Sequence, residues 1–238
     1  MSIRSGHTLS VLLVVRHRYQ GHFFSEADWE ANAAKQAPAF LLKPPDVPFH
    51  CLPDELQAYI AQGEEKGLNT GYKCRIRKRW YIIPSRWIPQ AFMLRQVYSF
   101  PKIILNDAAA TCTDTIHRVK FCNGVPPRTV AAAFLNSLTF AFSEVLGRSY
   151  GGGVLELEPT EAEKLPIPLV GADLLNLDEL DRLLRAGDIY GVLDITDEVL
   201  LRRGMGLSVE ETRMLRTAWQ RLRDRRINRK PDKIFQRT

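Results

Sequence analysis

The chain has 238 residues, 45% of them apolar and 25% charged, a globular composition that argues against a disordered chain and is long enough to build a core without disulfides. Its net charge of +6 favours an acidic partner without naming one. Cys51, Cys74, Cys112 and Cys122 are widely spaced and form no CxxC pair; reduced thiols in a cytoplasmic protein are expected, with neither a disulfide framework nor a zinc site.

In chain order, the aliphatic run at 9–15 reads as a buried strand. It is too short to span a bilayer, and Arg16, His17 and Arg18 follow it with no small-residue cleavage site, so neither a membrane helix nor a secretory signal is expected. Residues 26–36 read as a helix capped by Ser25. Prolines at 38, 44, 45, 48 and 53 make the next stretch irregular. A helix from Pro53 to Gln62 follows, acidic at its positive end and closed by Gly63 and Gly67. Strands are predicted at 72–76, 80–83, 102–105 and 116–121, with turns at Pro84 and Pro89. Residues 129–146 read as one long helix ended by Gly147. Gly151, Gly152 and Gly153 then turn the chain into a short strand at 154–157. A proline-punctuated connector at 159–168 leads to helices at 177–186, 191–201 and 208–226, the last opened by a Ser208/Glu211 capping box. The expected fold class is α+β: a mixed, β-rich body with packed helices over residues 1–170, then a helical C-terminal segment over 171–238.

The segment from Lys66 to Lys102 holds nine cations and no carboxylate: Lys66, Lys73, Arg75, Arg77, Lys78, Arg79, Arg86, Arg95 and Lys102. Tyr72, Trp80, Tyr81, Trp87, Phe92, Tyr98 and Phe100 are interleaved with them. Cations alternating with planar rings suit a polyanion whose bases can stack, which points to nucleic acid. On a strand, Arg75, Arg77 and Arg79 would project from one face toward phosphates or guanine edges. A solvated strand face is the plainer alternative for the arginines, and a core position for each ring. The basic tail run Arg221, Arg223, Arg225, Arg226, Arg229 and Lys230 reads equally as a frayed charged helix or as a phosphate contact.

Catalytic signatures are missing. There is no GxSxG elbow, Walker loop or HExxH helix, and the histidines are scattered. The glycine triplet precedes a strand rather than a helix, so it reads as a tight turn or as bare amides near a phosphate. Glu156, Glu158, Glu161 and Glu163 could suggest a metal nuclease, but a solvated acidic face is the expected account.

Several stretches resemble one family in the same order. They are Tyr59-Ile60-Ala61-Gln62-Gly63-Glu64, then Gly71-Tyr72-Lys73-Cys74-Arg75-Ile76-Arg77-Lys78-Arg79-Trp80-Tyr81, then Pro101 to Asn106. Leu135-Asn136-Ser137, Gly147-Arg148 through Leu157, and Glu161 to Leu169 follow. Together they are similar to the C-terminal, target-recognising region of bacterial N6-adenine DNA methyltransferases of restriction–modification systems, the Eco57I and XhoI/PaeR7I-like enzymes. The resemblance covers roughly residues 50–230, and residues 1–45 carry none of these motifs. It implies double-stranded DNA as a partner and S-adenosylmethionine as the cofactor of an associated catalytic domain or subunit. The glycine-containing cofactor loop and the Asn/Asp-Pro-Pro-Tyr/Phe tetrapeptide of such enzymes do not occur here. No catalytic residue or metal ligand is therefore assigned, and no cofactor is expected on this chain. The expected DNA contacts are Arg75, Arg77, Lys78, Arg79, Trp80, Arg86, Lys102 and Arg148, with Asn106 and Asn123 as candidate base readers. The alternatives are a subunit that docks a separate methylase chain through its helical tail, and a restriction nuclease built around Glu156–Lys164.

Overall fold

The computed structural model describes residues 21–37, 39–83, 87–122 and 124–229, with the backbone of 9–13. Its fold is α+β. Strand β1 (Leu9–Leu13) occupies the expected aliphatic run, whose last two residues lie outside the described chain. Strand β2 (Phe23–Phe24) leads into helix α1 (Glu26–Ala34), which Ser25 opens with a reciprocal box: the Asp28 amide donates to Ser25 Oγ, and the Ser25 amide donates to the Asp28 carboxylate at 3.0 Å. Strand β3 (Phe40–Leu42) pairs antiparallel with β1.

Helix α2 (Asp54–Glu65) runs past the glycine expected to end it. Gly63 is retained inside the helix because the Trp80 ring lies on its bare face: an added Cβ would meet Trp80 Cη2 at 2.7 Å. The chain then departs from expectation. In place of the strand expected at 72–76 stands a one-turn helix, α3 (Tyr72–Arg75), and 80–83 form no strand. Local bonds close this stretch on itself, with the amides of Cys74 and Arg75 donating to the Gly71 carbonyl and that of Ile76 to Tyr72. Trp80 and Tyr81 pack back onto a small cluster of Leu52, Leu56 and Ile60, so a helical projection forms where a ribbon was predicted.

Strands β4 (Ala91–Leu94), β5 (Gln96–Val97), β6 (Ile103–Asn106), β7 (Thr111–Cys112) and β8 (Ile116–Val119) follow. β2, β6, β4 and β8 form a four-stranded sheet in that order, parallel at β2–β6 and antiparallel elsewhere. β1 joins β3 and β7 in a second sheet. The four-stranded sheet is buried on both faces. Ala91, Met93, Ile103 and Leu105 enter the main core, while Phe92, Leu94 and Ile104 point into a second cluster with Phe24 and Ile116.

The long helix expected at 129–146 is two helices, α4 (Pro127–Ala133) and α5 (Ser137–Leu146), bent by 76°. Asn136 makes the break. Its side chain accepts from the Thr139 amide at 2.8 Å and donates to the Ala133 carbonyl at 2.7 Å, capping one helix while closing the other. Among the described residues no single helix is long and apolar enough to cross a membrane. Strand β9 (Arg148–Tyr150) and strand β10 (Val154–Glu156) flank the glycine turn and join β5 in a third sheet.

A one-turn helix α6 (Pro159–Ala162) sits in the connector, followed by α7 (Leu177–Arg185) and α8 (Ile189–Thr196). The helix expected at 191–201 passes at Asp197 into a π-helical stretch, Asp197–Gly204. Helix α9 (Val209–Ile227) carries the predicted Ser208/Glu211 box. The main core draws on both sides of residue 170, joining Met93, Leu105, Phe140 and Leu157 to Leu180, Val192 and Trp219.

Candidate nucleic-acid interface

The strand that was to carry the arginines does not form, so Arg75, Arg77 and Arg79 do not share the alternate face expected of them. Arg75 and Lys78 remain exposed on the 54–83 projection, with no carboxylate partner among the described residues. Beside them lie two exposed apolar side chains, Tyr72 (70% accessible) and Ile76 (66%). Arg77 is half-buried and donates to the Trp80 carbonyl at 3.4 Å. Arg79 forms an ion pair with Asp46. Trp80 is structural as well as cationic-segment sequence: its Nε1 donates to Glu64 at 2.8 Å while its ring covers Gly63.

Acids remote in sequence reach part of the segment that holds none of its own. Lys73 pairs with Asp114 at 3.2 Å, and Arg95 bridges Glu156 at 2.7 Å and Glu158 at 2.5 Å. Glu156 is therefore buried and partnered rather than solvated. Hydrogen bonds from Gln96 and Arg95 hold its carboxyl below the usual carboxylate range. Glu158 and Glu161 cap α6, and Glu161 also takes the exposed Arg148 at 2.7 Å. No group of three or more His, Cys, Asp or Glu among the described residues is arranged to hold a metal.

The remaining sequence candidates scatter. Arg86 and Asn123 lie outside the described residues, as does Lys230 of the tail. Asn106 pins a loop, donating to the carbonyls of Pro89 and Ala110 at 2.8 Å each and accepting from the Ala110 amide at 2.9 Å. The tail helix is packed, not frayed. Arg226 is buried with Glu144 at 2.6 Å and donates to the carbonyls of Tyr98 and Gly153, while Arg223 lies over the Trp219 ring, 4.5 Å from its centroid.

Lys102 is the largest displacement from expectation. It is only 6% accessible, and burial pushes its ammonium down to about 7, opposed by Asp181 and assisted by Arg185. Next to it His22 is wholly buried, its pKa lowered to about 4 chiefly by that burial. His22 Nδ1 lies 2.8 Å from the Ile103 carbonyl, which can only accept, so Nδ1 carries the proton of the neutral ring. The His22 amide donates to Asp181, and Arg185 joins Asp181 to Asp28. The sequence offered no local sign of this group, since His22, Lys102 and Asp181 come from three distant segments. One clue was available: Lys102 heads the apolar run of β6.

A family model for the C-terminal domain of the type II methyltransferase M.Eco57I matches residues 6–201, and the chain belongs to that family. The match takes in residues 6–45, where the sequence showed no family motif, and ends before α9. Searches of curated proteins and of solved structures gave no match.

Proposed function

We propose that this chain is the DNA-recognition module of an N6-adenine methyltransferase, with S-adenosylmethionine bound and the methyl group transferred by another domain or subunit. Membership in a methyltransferase C-terminal family supports the association. The observation that carries DNA contact is the exposed Arg75–Lys78 corner, which keeps two exposed cations without carboxylate partners among the described residues, beside an exposed tyrosine, while Lys73 and Arg79 are ion-paired. Unneutralised cations next to a planar ring suit a phosphate backbone with accessible bases. The one-turn helix narrows the role of that corner to a point contact rather than a ribbon laid along a groove. Arg148, held by Glu161, is a weaker candidate, and Asn106 has its amide committed to the protein's own backbone.

Anisotropy titrations of a labelled duplex at several salt concentrations test this. Changing Arg75 and Lys78 together to Ala should weaken binding and lower the slope of log K against log salt by about 2, since each lost phosphate contact removes about 0.9. An unchanged affinity and slope would remove that corner from the interface.

A further inference from the structure

The Arg75–Lys78 corner also presents apolar side chains to solvent. Tyr72 and Ile76 stand one helical turn apart, the Ile76 amide donating to the Tyr72 carbonyl at 3.3 Å, so both side chains leave the same face of α3. Both are exposed, and neither joins an apolar cluster among the described residues. Leu68, in the turn that leads into α3, is exposed as well. At Gly71, which separates that turn from Tyr72, nothing lies within 4 Å of where a Cβ would project.

The fold divides the cations around these side chains. Lys73 is tied to Asp114 at 3.2 Å and Arg79 to Asp46, whereas Lys66, Arg75 and Lys78 are exposed with no carboxylate partner among the described residues. The support behind α3 is firm: Trp80 and Tyr81 pack onto Leu52, Leu56 and Ile60, and Trp80 Nε1 donates to Glu64 at 2.8 Å. Substituting Tyr72 or Ile76 therefore removes nothing from that cluster.

Exposed apolar side chains flanked by unpaired cations fit a polyanion that has apolar faces of its own. On a duplex those faces lie inside the base stack, while the backbone and most groove edges are polar. We propose that Tyr72 and Ile76 form a wedge that enters the base stack of double-stranded DNA. Ile76 parts a base step, the Tyr72 ring stacks on a base so uncovered, and Arg75 and Lys78 hold the flanking phosphates. This rests on the DNA-recognition reading above and extends it, because the corner then deforms the duplex as well as touching its backbone. Opening a step also lowers the cost of extruding the adenine that a catalytic domain must reach.

Anisotropy titrations of the full chain test this with two labelled duplexes of one sequence, one fully paired and one carrying a single abasic site, where the stack is already open. The abasic duplex should bind at least about tenfold tighter, since stacking on one base is worth a factor of that order and the unstacking cost has been removed. Tyr72→Ser combined with Ile76→Ser changes only exposed side chains, so its thermal melt should match the native one. It should erase the preference for the abasic duplex and leave the salt slope intact, while Tyr72→Phe should retain that preference. The Arg75/Lys78 double variant should lower the slope and retain the preference. Equal affinity of the native chain for both duplexes, or a preference that survives the double serine variant, would overturn the wedge and leave DNA contact at the corner standing. Binding to neither duplex overturns both readings. A serine variant that only dissociates a dimer in sedimentation, with DNA affinity unchanged, marks the face as a contact between copies of this chain and likewise overturns the wedge.

Discussion

At the scale of single residues, what decides a charge's role is where the fold places its counter-charge. The Arg226 and Glu144 side chains are each 3% accessible and bonded face to face, with the carbonyls of Tyr98 and Gly153 accepting two further guanidinium protons. Removing one member leaves a buried charge without its partner. Arg226→Met should cost about 3–5 kcal/mol in urea unfolding, whereas Arg213→Ala, which breaks a surface pair on the same helix, should cost under about 1 kcal/mol. His22 gives a pH signature. Its folded pKa of about 4 lies below the ordinary 6.5, so the unfolded chain takes up the proton first as pH falls. Stability from this group is complete above about 6.5 and is lost on the way down to about 4, a loss of about 3 kcal/mol. His22→Asn keeps a donor for the Ile103 carbonyl and has nothing to titrate, so its stability curve should be flatter by about that amount across the same window.

At the scale of elements, the motifs that revealed the family serve as scaffold. Asn136 and Ser137 break and restart a helix, and Ser137 ties it to the buried Asp197, its amide donating at 2.8 Å and its hydroxyl at 2.6 Å. Burial pushes the Asp197 carboxyl up, against these bonds and the pull of Arg216. The glycine turn is fitted to α9: at Gly153, with φ +75°, a Cβ would lie 2.9 Å from the Ile227 Cα, while at Gly152, with φ +74°, it would meet open space. Alanine at either position pays the left-handed backbone cost of roughly 1–2 kcal/mol, and Gly153→Ala must displace backbone besides. Thermal melts should therefore place Gly153→Ala clearly below Gly152→Ala. Capped and apolar elements were legible in sequence: α1 from Ser25, α9 from Ser208, and β6 from its apolar run. The 72–83 stretch misled because alternating cations and rings imitate strand periodicity. What holds it is Trp80 covering Gly63, a contact between segments that no local pattern records. The long helix misled because its apolar spacing continues through Asn136, whose capping role depends on a turn the periodicity does not show.

Across the whole molecule, net charge pointed toward an acidic partner, but the charge is unevenly available. Asp46, Asp114, Glu156 and Glu158 reach Arg79, Lys73 and Arg95 from a distance, while Lys66, Arg75 and Lys78 stay exposed without a carboxylate partner among the described residues and Lys102 lies within. The candidate DNA corner was therefore legible as a region and not as a set of residues. Trp219 sits in the same core as the strands, its ring tilted against Phe140, and Arg226 closes over the turn that ends at Gly153. During synthesis, then, the early strands wait for α9. A nascent chain halted before α9 would hold Phe140 without its Trp219 neighbour and Glu144 without its cation, leaving it a substrate for chaperones and proteases until that helix has emerged.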